Sequence, residues 1–159
     1  MRRHGGRRPR FQRGVAMVEF AITLPLLLLM LLAIGEFGRM LYQYNSLLQA
    51  SRDASRYAAS AVWSSGGTEP GEGLKTQIKN VAVYGVPSSQ AGFPPVVPGL
   101  TPANVQVSAL GAEHVQVSIT YIFCPVIGAG NCAGSLPGFF GDAIALNIPL
   151  IATTVMRVL

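Results

Sequence analysis

The stretch "GVAMVEFAITLPLLLLMLLAIGEFGR" fills residues 14–39, and Glu19 is the fifth residue of the apolar run that begins at Val15. An ionised carboxylate in lipid costs about 2.5–3.5 kcal/mol at the bilayer centre and less near its edge. Such a residue calls for a positively charged partner, or else it reaches for the membrane surface or takes up a proton. Gly14 is the last residue before the run, five positions ahead of Glu19. A residue without a side chain lets another backbone approach closely. No serine–histidine–acid set with workable spacing, phosphate-binding loop or metal cluster is recognisable. His114, next to Glu113, reads as a surface histidine at a strand start, and Glu113 and Asp142 read as turn residues. No enzymatic activity, cofactor, metal or small-molecule substrate is expected.

The charge is segregated. Arg2, Arg3, Arg7, Arg8, Arg10 and Arg13 precede the apolar run with no acid among them, while residues 15–159 carry six basic and seven acidic side chains. A nucleic-acid-binding protein needs its positive charge on a folded surface, and the body of this chain is near neutral, so no nucleic-acid partner is expected. A basic segment directly before a hydrophobic span stays cytoplasmic. That orientation puts the N-terminus inside and residues 40–159 outside. Cys124 and Cys132, which enclose "PVIGAGN", then lie where a disulfide persists. The loop-entropy estimate for so short a loop is roughly 2–3 kcal/mol. Two buried thiols are the alternative. A zinc site is disfavoured, because there is no second cysteine pair and His4 and His114 are distant in sequence.

These residues need elements to hold them. Residues 1–14 form a basic leader, and residues 15–34 a transmembrane helix of about 30 Å, one hydrocarbon thickness. Pro25 lies inside it, a kink that membrane helices tolerate. Residues 35–63 continue the helix amphipathically. Met40, Tyr44, Leu47, Ser51, Ala54, Ala58 and Ala61 recur at spacings of four and three, and Phe37, Leu41 and Leu48 widen the stripe. Gln43, Gln49, Arg52, Asp53 and Arg56 fall on other faces. The stripe shrinks to serine and alanine, so something must pack close there. One helix over about 15–63 would be roughly 74 Å long. "SSGGTEPGEG" ends it.

Residues 64–159 read as an α+β domain outside the cytoplasm. A short helix is expected in 74–85 and a proline-rich loop in 86–102. Period-two alternation in "NVQVSAL" (104–110) and "HVQVSITYIF" (114–123) predicts a hairpin. Residues 124–142 read as an irregular loop and 143–159 as a last strand, in which Pro149 requires an edge or a bulge. The fold class is a long N-terminal helix packed on a small antiparallel three-stranded sheet.

The arginine-rich leader, Gly14, Glu19 with Phe20 after it, Leu24-Pro25 and "EFGR" with Tyr42 occur in order. This arrangement resembles the type IV prepilin signal, and from about residue 13 to 60 the chain resembles the TadE-like family of tight-adherence (Flp, type IVc) pilus systems. The resemblance implies a pilin-like fold and cleavage by a prepilin peptidase between Gly14 and Val15. It also implies a minor pseudopilin that helps initiate or assemble a pilus. Its partners would be the inner membrane, the peptidase, sibling pseudopilins and the assembly machinery, with the C-terminal domain periplasmic. Cleavage would free an ammonium at Val15, one helical turn from Glu19, and so supply the missing partner. Two other readings of the leader stand beside this one. A secretory signal peptide cut after Gly35 fits poorly, because its apolar region would be too long and would carry an acid. An uncleaved single-pass scaffold with a periplasmic interaction domain differs from the pseudopilin only in whether residue 15 becomes the terminus.

Overall fold

A computed structural model of the chain describes residues 12–65, 70–88, 92–111, 113–126, 135–137, 141–145 and 147–158. The chain divides into two units, Met1–Gly38 and Arg39–Leu159. Helix α1, Gln12–Ser65, is continuous in secondary structure and contributes to both. It starts a few residues before the expected position and carries Pro25 inside it.

In the first unit the helix buries none of its apolar side chains among the described residues. Every side chain from Val15 to Gly35 is exposed. The segment is long and apolar enough to cross a membrane, and its most apolar stretch is wholly unburied.

In the second unit the same helix acquires a core. Leu47, Ala50, Ala54, Ala58 and Val62 are buried. The sheet opposite has the order β1-β2-β5: β1 is Val105–Ala109, β2 His114–Phe123 and β5 Ile148–Arg157, all antiparallel. Alternation along β2 turns Val115, Val117, Ile119 and Phe123 inward, where Leu150 and Ala152 of β5 join them. Full burial of a side chain such as Ile119 contributes roughly 1.5–3 kcal/mol. The expectation of close packing at the small-residue end of the stripe is met. The Ser51 and Thr154 hydroxyls are 2.8 Å apart, and Ser55 Oγ, which donates to the Ser51 carbonyl, also lies 3.4 Å from the Thr154 carbonyl. Larger side chains would hold helix and strand apart.

Helix α2, Glu72–Tyr84, closes another side of the core with Ile78, Val81, Ala82 and Val83. Glu72 in its first turn is ion-paired with Lys75 at 2.8 Å. Gly85 ends the helix in the left-handed conformation (φ 76°), with its N–H donating to the Val81 carbonyl. An L-residue with a Cβ is strained there. Tyr57 Oη donates to Gln77 Oε1 at 2.9 Å, which ties α2 to α1. A 3₁₀ turn, Pro102–Asn104, leads into β1.

The last strand is not continuous. Residues 143–145 form β4, which pairs with β3 (Ser135–Pro137) as a separate two-stranded ribbon, and β5 begins only at Ile148. The reason lies across the sheet. β2 ends at Phe123, paired with Ile148, and Pro125 follows with no N–H to extend the ladder. Residues before Ile148 therefore find no partner on β2. Pro149 sits near the start of an edge strand, where its missing donor is tolerated.

Candidate functional site

The chemistry-bearing residues of the first unit lie on the opening turns of α1. Ala16, Met17, Ala21 and the leucines after Pro25 favour the helix, and the helix brings Gly14, Val15, Val18, Glu19 and Ile22 along one surface groove. Val15 is 70% exposed and Phe20 60%. The Glu19 side chain has no ion pair or hydrogen-bond partner among the described residues. Its main-chain carbonyl accepts a bond from Thr23 Oγ1 at 2.9 Å, just ahead of Pro25, which supplies no N–H to the carbonyl four residues back.

Nothing in the described fold requires glycine at residue 14. A Cβ placed there meets nothing within 4 Å, and the backbone is not in the left-handed region. Glycine inside a helix costs roughly 0.5–1 kcal/mol relative to alanine. The same holds at Gly35 and Gly38, where an added Cβ also meets nothing. These glycines carry a cost with no compensating contact in the isolated chain.

The second unit shows what local sequence patterns could not. Arg39 Nη2 donates to the Cys124 carbonyl at 2.7 Å, and the guanidinium lies 4.7 Å from the centroid of the Phe123 ring. No local pattern points to this contact, because Phe123 and Cys124 are 84 and 85 residues from Arg39. Gln43, placed by periodicity on a polar face, is instead 8% exposed, and its Oε1 has no hydrogen-bond partner among the described residues. Cys124 is disulfide-bonded, and Cys132 lies outside the described residues. Glu113, expected as a plain turn residue, pairs with Arg157 at 2.8 Å, and its carbonyl accepts the Val158 N–H. His114, exposed, is register-paired with Arg157. No group of side chains with metal-binding geometry occurs among the described residues. Tyr121 Oη donates to the Pro98 carbonyl at 3.0 Å, and partial burial raises its pKa above the ordinary phenol value despite the opposing charge of Arg39.

A family model described as TadE-like protein matches residues 14–56. Residues 14–56 are a TadE-like segment. The match begins at Gly14 and spans Val15, Glu19, Phe20 and Arg39. It stops at Arg56, before α2 and the sheet. The TadE-like segment relates the chain to Tad pilus systems, and its apolar helix is consistent with a single-pass membrane protein. No curated protein and no solved structure matches the chain.

Proposed function

We propose that the chain is a minor pseudopilin of a Tad (Flp, type IVc) pilus, cut by prepilin peptidase between Gly14 and Val15. The observation that carries this reading is the TadE-like match opening at a glycine that no contact among the described residues explains, five residues before a carboxylate with no partner among them. Cleavage would leave an ammonium on Val15. Glu19 of the same or a neighbouring subunit would pair with it, offsetting the cost of a carboxylate at the membrane edge. Residues 15–34 would anchor the protein in the inner membrane with the sheet domain in the periplasm. There the domain would take part in starting or assembling the filament beside sibling pseudopilins. The reading assigns the chain no catalytic role.

One observation favours a second reading, an uncleaved membrane scaffold. The Gly14–Val15 bond lies within a helix that begins at Gln12, and proteases need extended backbone. The first four N–H groups of a helix have no intrahelical acceptor. Unwinding through Val15 therefore breaks only the bonds made by the carbonyls of residues 12–15, and the strand-like form is within reach.

Intact mass and N-terminal sequence of the membrane-extracted protein decide between the two. A start at Val15, with Gly14→Leu left at full size, supports the pseudopilin. A start at Met1 supports the scaffold, and a mature-size Gly14→Leu band refutes the assigned cleavage site.

A further inference from the structure

A cleft of about 200 Å3 opens in the second unit between α1, the end of α2 and the loop at Val96. The buried Ala50 and Val81 form its apolar floor and the exposed Val96 its apolar rim, and Ser46, Gln49 and Asp53 line it along α1 with Gly85 at the end of α2. Acceptors predominate around it: the Asp53 carboxylate and the Ser46 hydroxyl, with the Gln49 amide supplying an acceptor oxygen as well as its Nε2 donor. Ser46 Oγ donates its proton to the Tyr42 carbonyl at 3.0 Å and keeps its lone pairs. The Asp53 carboxylate has no ion pair or hydrogen bond among the described residues, although Arg52 is its neighbour and Arg56 lies three positions on. Helix α2 brings the negative end of its dipole to this point, with no basic residue in its last turn. Of its final three carbonyls, only that of Val83 accepts a bond from beyond the helix among the described residues, from Val96 N–H at 2.8 Å. No lysine or arginine lines the cleft.

We propose that this cleft docks one arginine or lysine side chain presented by a partner protein. A basic side chain combines a methylene stem with a charged, donor-only head. The stem matches the floor and the head matches Asp53, Gln49, Ser46 and the carbonyl end of α2. A bare divalent ion fits worse, because calcium takes six to eight oxygens and the floor supplies none. The cleft lies wholly within Arg39–Leu159 and does not depend on processing at Gly14, so the two readings fail separately.

The test is NMR of the full chain in detergent micelles, titrated with N-acetyl-arginine amide and, at equal ionic strength, with N-acetyl-citrulline amide, its neutral isostere. The amides of Ser46, Gln49, Asp53 and Gly85 should shift saturably with the arginine compound. Binding should weaken about twofold to fivefold with citrulline and in Asp53→Asn, the scale of one exposed charge pair. Gln49→Lys, which tethers an ammonium at the rim, should abolish the response and leave the unligated spectrum folded. Equal response to citrulline, an unchanged response in Asp53→Asn, or calcium chloride shifting these amides in preference to the arginine compound would overturn the proposal.

Discussion

Replacing Ala54 by leucine probes the contact that joins the amphipathic half of α1 to the sheet. Ala54 is fully buried, one turn from Ser51, whose hydroxyl is 2.8 Å from that of Thr154 on β5. Helix and strand there are separated by little more than two small side chains. Three added carbons have no room, so the helix must lift and weaken the Ser51–Thr154 bond or the leucine must leave its rotamer. Overpacking of this kind costs about 1–3 kcal/mol, and losing the part-buried hydrogen bond adds about 1 kcal/mol. For a chain of this size about 2–4 kcal/mol corresponds to a fall in Tm of roughly 6–15 °C. The assay is thermal unfolding followed by circular dichroism in one detergent, with Arg56→Leu as control. Arg56 is exposed on the same helix, and surface changes usually stay within about 0.5 kcal/mol. If Ala54→Leu unfolds within 2 °C of the parent, close approach is not what selects serine and alanine on this face.

Two further predictions concern single groups. Glu19→Ala should leave processing at Gly14 intact while reducing the share of protein recovered in sheared pili, and undiminished recovery would contradict the amine-pairing account. Tyr121 should titrate above the ordinary phenol pKa of 10.0 because it is partly buried. A raised folded-state pKa contributes stability below the unfolded value and loses it as pH rises through the folded one. The parent should therefore lose stability relative to Tyr121→Phe above about pH 10, and ultraviolet titration should show one late-ionising phenol missing from the variant. Identical alkaline titration, apart from one normal tyrosine, would count against the burial argument.

The elements were largely legible because each has its own period. The run of residues 15–34, the four-and-three stripe from Met40 to Ala61 and the alternation from Val105 to Ala109 and His114 to Phe123 each report the face that must be buried. The candidate site was legible for the same reason: Gly14 and Glu19 violate the rule of the segment that holds them, and a violation shows in one dimension. Partners are different. Arg39 meets Cys124 and Phe123, Ser51 meets Thr154, and Asp53 shares a cleft with Val81, Gly85 and Val96. Each contact spans tens of residues, and no local periodicity encodes it. The break before Ile148 likewise depends on where β2 ends, and Gln43 is buried although its helical position reads as polar. The amino-acid order by itself determined which segments could enter a membrane, form the long helix and build the sheet, since burial free energy follows the spacing of apolar side chains along one element. Only the tertiary structure decided which faces met, because that depends on the shapes and hydrogen-bonding groups of all the elements at once.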